Sequence, residues 1–237
     1  MAIDLEKIDL RKKTIIDLKK KAGIEDQKAQ VVLALDFSGS MSHLYSDGTV
    51  QETVERILPL GLVFDDNKEV DFYLFENGCK KMPNNITLSN LDGYINKKVI
   101  GKYMMGGTSY APVLKTIFED FSTTKGGFLG IGGKKTKMQY PVYIIFITDG
   151  ENDDKTATEM VIKEMSEYGF FIQFVGIGRE YFNFLRKLDD LTGRALDNAN
   201  FFSISNLAAT PDDQLYSDLM KEFPSWVKDA RSAGFID

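Results

Sequence analysis

Two short apolar runs, each ending at a carboxylate, set the strongest limit on what this chain can fold into. Val31-Val32-Leu33-Ala34-Leu35 stops at Asp36-Phe37-Ser38-Gly39-Ser40, and Val142-Tyr143-Ile144-Ile145-Phe146-Ile147 stops at Thr148-Asp149-Gly150. Runs of this length, rich in β-branched and aromatic residues and bounded by turn residues, read as fully buried strands. Further strands are expected at 69–75, 170–175 and 201–204, with short edge structure around 79–82. Helical periodicity is expected at 5–22, 50–64, 88–96, 109–122, 156–168, 181–191 and 212–231, the last interrupted at Pro224. Strands alternating with helices imply crossover connections and a mostly parallel sheet of the α/β class. In such sheets ligands gather beyond the carboxyl ends of the strands.

At those ends the sequence supplies oxygen. Asp36, Ser38 and Ser40 follow one strand, Asp149 follows another, and Thr108 sits in the Gly106-Gly107-Thr108-Ser109 loop that opens a helix. Three separate segments thus bring carboxylates and hydroxyls, and none brings sulfur or imidazole, which is the donor chemistry of a hard cation. Mg2+ takes near-octahedral oxygen coordination at about 2.0–2.1 Å and usually keeps several waters. The competing reading of Asp36-x-Ser38-x-Ser40 alone is a set of caps for a helix N-terminus.

Those five positions resemble the metal-ion-dependent adhesion site of the von Willebrand factor A (vWA) family. The resemblance implies a three-layer, Rossmann-like fold: a mostly parallel central sheet with one antiparallel edge strand and helices on both faces. It implies Mg2+ as cofactor, with Mn2+ or Ca2+ as alternatives, touched directly by Ser38, Ser40 and Thr108 and mainly through water by Asp36 and Asp149. It also implies a protein partner that donates a carboxylate to the ion. The flanks, Ile8-Asp9-Leu10-Arg11-Lys12-Lys13 and Glu222-Phe223-Pro224-Ser225-Trp226, are similar to the bacterial tellurium-resistance and stress-operon branch. That branch implies partners among other stress-operon proteins or an ATPase. The organisation expected is an N-terminal helical flank at 1–28, a vWA domain at 29–207 and a C-terminal helical region at 208–237 on the same domain.

Composition narrows the function classes. The chain has 237 residues, 43% hydrophobic and 27% charged, with a formal net charge of −6. That balance suits a globular domain and argues against general nucleic-acid binding, which rests on a basic surface. No apolar stretch reaches the roughly 20 residues of a membrane span. The N-terminus lacks the apolar core of a signal peptide. A single cysteine, Cys79, excludes an internal disulfide framework, so the expected setting is a reducing cytoplasm.

Other motifs are weaker. Residues 125–135, with five glycines and Phe128, Leu129 and Ile131 between lysines, read either as a loop or as a contact tip. They do not form a phosphate loop, because Phe128 stands where the leading glycine should be and Lys135 where the hydroxyl should be. Residues 149–154 lack the glycine and the glutamate of a calcium-binding EF-hand. Glu151, Asp153 and Asp154 read as a solvated turn and helix start, and His43 as an exposed loop residue. No acid, base or nucleophilic relay is evident, so the expectation is a binding module and not an enzyme. The rivals are a metal-dependent phosphotransferase or hydrolase using Asp36, and a vWA subunit of an ATP-driven remodelling complex.

Overall fold

The computed structural model describes residues 4–124, 137–150, 152–178, 180–207 and 209–237. The chain opens with helix α1 (Leu5–Ala22), capped by the Asp4 carboxylate accepting from Lys7 N at 3.1 Å and closed by Gly23 at φ 68°. Strand β1 (Gln30–Asp36) follows, then helices α2 (Ser42–Ser46) and α3 (Thr49–Phe64), strands β2 (Asp71–Phe75) and β3 (Cys79–Lys81), and helices α4 (Tyr94–Lys98) and α5 (Ala111–Thr124). The second half contains β4 (Val142–Thr148), α6 (Lys155–Met165), β5 (Phe170–Ile177), α7 (Asn183–Asp189), β6 (Ala199–Ile204), α8 (Asp212–Leu219) and α9 (Phe223–Ser232).

The strands form one sheet in the order β3-β2-β1-β4-β5-β6. All neighbours run parallel except the edge pair β2–β3, in which Tyr73 faces Lys81 and Phe75 faces Cys79. Every residue of β1, β4 and β5 is buried. This is the pattern of strands covered on both faces, and it explains why their sequences are largely apolar, with Gln173 of β5 paired to Asn200 of β6.

Alternate side chains show what covers each face. On one, Tyr143 stacks on Phe223 of α9 at 4.5 Å between ring centroids, and Phe171 meets Trp226 at 5.4 Å. On the other, Phe146 meets Tyr110 at 4.8 Å and Phe170 meets Phe118 of α5 at 5.3 Å. The N-terminal helix is held by charge as well as by Ile8 and Ile15. Arg11 pairs with Asp212 at 2.8 Å, and buried Arg56 pairs with the same carboxylate at 2.8 Å, tying α1, α3 and α8 together. No helix among the described residues is long and apolar enough to cross a membrane.

Two expected elements differ. The helix expected at 88–96 is confined to Tyr94–Lys98, because Asn90 Oδ1 accepts from Thr87 N at 2.9 Å and Asn90 Nδ2 donates to Asn85 O at 2.8 Å. Such side-chain bonds hold a turn in competition with the helix. Pro224 does not interrupt a helix. It stands in the first turn of α9, where its missing N–H is no loss, and the break lies earlier, after Leu219. The glycine-rich stretch at 125–135 lies outside the described residues.

Candidate metal centre

The site is assembled where β1 and β4 end side by side. Asp36, the last residue of β1, is fully buried. Its Oδ1 accepts from Ser38 N at 2.8 Å and its Oδ2 from Thr148 Oγ1 at 2.7 Å. The Tyr110 hydroxyl lies 3.1 Å from Thr148 Oγ1. A hydroxyl has one hydrogen, and Thr148 gives its own to Asp36, so Tyr110 donates in turn. The result is a directed chain, Tyr110 to Thr148 to Asp36, and Gly150 N adds a further bond to Thr148 Oγ1 at 3.1 Å.

Burial pushes the Asp36 carboxyl up to about 6; hydrogen bonds from Thr148 and Ser38 oppose this, and the charge of nearby Asp149 reinforces it. The buried Asp36 carboxylate lacks solvation, and a like charge beside it disfavours its ionised form further. Asp149 carries the clearest sign of a missing partner. Its Oδ1 is buried and accepts no hydrogen bond among the described residues. An unpaired buried carboxylate oxygen is costly, and a cation relieves it.

The hydroxyls are arranged beside these carboxylates. Ser38 Oγ lies 3.1 Å from Ser40 Oγ, with Ser38 buried and Ser40 exposed. The Thr108 loop is strapped to the motif by a bridge between Ser38 and Gly106 and by Gly39 N donating to Gly106 O at 3.0 Å. Two reciprocal bonds tie it to the loop after β4: Asp153 N to Thr108 O at 2.8 Å and Thr108 N to Asp153 Oδ2 at 3.2 Å. The paired glycines have a steric reason. A Cβ on Gly106 would collide with the Glu76 carboxylate, and one on Gly107 with the Asn77 amide. Among the described residues no hydrogen bond joins the side chains of Thr108 or Asp149 to those of Asp36, Ser38 and Ser40; backbone links bring the loops together.

Several contributors escape a reading of the sequence alone. Thr148 and Tyr110 support Asp36 from behind, and Glu76 walls the Thr108 loop. Asp154 is more than a solvated helix start. It accepts from Tyr110 N and Ala111 N at 2.9 Å each, from Thr158 Oγ1 at 2.9 Å and from Asn152 Nδ2 at 2.8 Å, clasping α5 to α6. Glu151 lies outside the described residues. His43 is exposed as expected, although in the short helix α2, with Nδ1 2.9 Å from Ser40 O. No group of three carboxylate, histidine or cysteine side chains gathers among the described residues. The donors here are two carboxylates and three hydroxyls, a set suited to an oxygen-loving divalent cation.

The architecture has known counterparts. Residues 28–236 match the vWA-TerF-like family profile, described as the vWA found in the TerF C terminus. An uncharacterized protein, YcbR, of Bacillus subtilis (strain 168) is 35% identical over 232 residues, covering 97% of this chain and 90% of its own length. Among solved structures, the SpRpn10 VWA domain superposes with a TM-score of 0.55 at 12% identity, over 83% of this chain and 95% of its own. Proximal thread matrix protein 1 from the mussel byssus, with a zinc-occupied MIDAS motif, gives 0.52 at 18% identity, over 85% of this chain and 47% of its own. At these identities the two structures speak for the fold. The profile and the bacterial relative go further: this chain belongs to the vWA-TerF-like family of vWA domains.

Proposed function

We propose that this vWA domain is a divalent-metal-dependent protein-binding module, in which Asp36, Ser38, Ser40, Thr108 and Asp149 hold Mg2+ and a carboxylate of a partner protein completes the site. The observation that carries this reading is the buried, unpartnered Oδ1 of half-buried Asp149 near the fully buried Asp36 carboxylate. The zinc-occupied MIDAS motif of the mussel protein supports a divalent ion at the corresponding place in the fold. When bound, the ion supplies an electrophilic centre for an oxygen ligand. The residues of this chain set its strength: two carboxylates neutralise its charge at most, and neutral hydroxyls donate weakly, so attraction for an incoming anion remains. Thr148 and Tyr110 hold Asp36 in one orientation, and the Gly106–Thr108 strap fixes the third hydroxyl.

The reading includes no chemical step. Both oxygens of Asp36 already accept hydrogen bonds, and its side chain is fully buried, a poor posture for a nucleophile. The one histidine faces a backbone carbonyl. Cys79 is half-buried, with its thiol pushed up to about 11 by burial, so it is unreactive near neutrality. The match to the vWA found in the TerF C terminus supports a role in a tellurium-type stress system as part of this proposal.

Affinity capture from lysate of the host tests the reading. A partner retained in Mg2+, released by EDTA and lost with Thr108→Ala supports it. Retention indifferent to chelator refutes it. Metal-dependent phosphate release that Asp36→Asn abolishes transfers the site to the hydrolase class.

A further inference from the structure

Next to the proposed metal centre runs a groove of about 380 Å3, lined among others by Glu76, Lys80, Lys102, Tyr103 and Met104. It shares a wall with the site, since the Glu76 carboxylate that lines it lies against Gly106 of the Thr108 strap. Its floor is the sheet edge at β3, and its rim is the segment before that strap. Met104 on the rim is 89% exposed, the most exposed of the large apolar side chains described. An adaptable thioether placed in solvent beside a half-buried tyrosine is the composition of a contact surface.

The charges in the groove are equally informative. Lys81, Lys97, Lys28 and Lys187 each meet a carboxylate. Lys80 and Lys102 meet none among the described residues; Lys80 Nζ instead lies over the Tyr103 ring, 4.1 Å from its centroid. Two cations and one carboxylate leave a local positive excess on a chain of net charge −6. At this face that excess counters the repulsion that the net negative charge of the chain presents to an acidic partner.

We propose that this groove is a second contact on the same binding face, and that it takes an acidic segment of a partner protein. Carboxylates of the segment lie against Lys80 and Lys102, and an apolar side chain rests on Tyr103 and Met104. The placement beside the ion rests on the metal-dependent reading, but the groove's chemistry does not involve the ion. Glu76 in the lining favours a peptide, which can space its charges around a carboxylate, over a uniformly anionic lipid surface.

The test uses the full chain and a random peptide library panned in EDTA. The most enriched peptide is then measured by fluorescence anisotropy against wild type, the Lys80→Glu/Lys102→Glu variant and Asp149→Asn. Both lysines are exposed, so the variant is expected to melt at the wild-type temperature. The inference predicts enrichment of acidic peptides carrying an aromatic or aliphatic residue, and affinity about ten- to a hundredfold weaker in the double reversal. It predicts unchanged affinity in Asp149→Asn and weakening by salt. Enriched peptides that are neutral or basic, or affinity indifferent to the double reversal, overturn it. So does capture of phosphatidylserine vesicles through the same lysines without any enriched peptide. Gain of affinity on adding Mg2+ that Asp149→Asn does not remove sinks the metal reading and leaves the groove standing.

Discussion

Thr148 donates a hydrogen bond to Asp36 at 2.7 Å, from the last residue of β4 to the last residue of β1. This contact joins the two strand ends that carry the carboxylates, and Tyr110 extends it toward α5. Thr148→Val keeps the shape and removes the donor. Leaving a buried carboxylate oxygen short of a partner costs about 1–3 kcal/mol of stability. Loss of a group that orients a metal ligand lowers metal affinity by about 10- to 100-fold. Melting curves with and without Mg2+ measure both, and Thr148→Ser is expected to stay near wild type.

Gly150, directly after Asp149, has φ 103°, and a Cβ there would lie 2.8 Å from the Phe182 ring. Gly150→Ala is therefore both strained and crowded, and is expected to cost about 1–3 kcal/mol. Phe182→Ala removes the obstruction, so the double variant should lose less stability than the sum of the two single ones. Denaturant titrations of the four proteins give the coupling, and strict additivity would refute the contact.

Asp71 is a carboxyl that burial pushes up to about 6, against partial compensation from Lys81 and Asn85, with Glu69 and Asp65 adding repulsion. The folded chain holds this proton more tightly than the unfolded one. The stabilising contribution of the proton is full below the ordinary carboxylate value of about 4 and is lost as pH rises through about 6. Asp71→Asn should thus be more stable than wild type near pH 8, on the order of 1–2 kcal/mol, with the difference closing by about pH 4. Equal stability gains at both pH values would contradict the assignment.

Asp154 collects the backbone amides of Tyr110 and Ala111 at the start of α5, a hydroxyl of α6 and the Asn152 amide. Asp154→Ala is expected to cost about 2–3 kcal/mol, since bonds to a charged acceptor are the stronger ones. Because Asp153 independently ties the same loop to Thr108, Asp153→Asn should perturb metal binding more than stability. Parallel chemical denaturation and Mn2+ titration separate the two effects.

The parallel sheet was legible in the sequence because β1, β4 and β5 are buried on both faces and read as apolar runs, broken within β5 only by Gln173. The positions of Asp36 and Asp149 at neighbouring strand ends were legible because the apolar runs before them mark β1 and β4. The supports behind them were not. Thr148 looks like any strand threonine until β1 and β4 are paired, and the Tyr110 hydroxyl reaches it only through the fold. Asp154 resembles a helix-start acid, yet its carboxylate serves a different helix as well as its own. The turn at 87–90 overrode a helical pattern through Asn90, whose bonds no periodicity reveals. Lys80 and Lys102 stand apart in the sequence and line one groove only because the fold brings Tyr103 under the Lys80 side chain.

The central claim is that the end of β1, the Thr108 strap and the end of β4 together hold one divalent cation. Isothermal titration calorimetry of Mg2+ and Mn2+ into the chelator-treated chain and into Asp149→Asn tests it most directly. A single saturable site is expected in wild type and none in Asp149→Asn, with circular dichroism showing the sheet intact. Equal metal binding in both proteins, or none in wild type at millimolar ion, would contradict it.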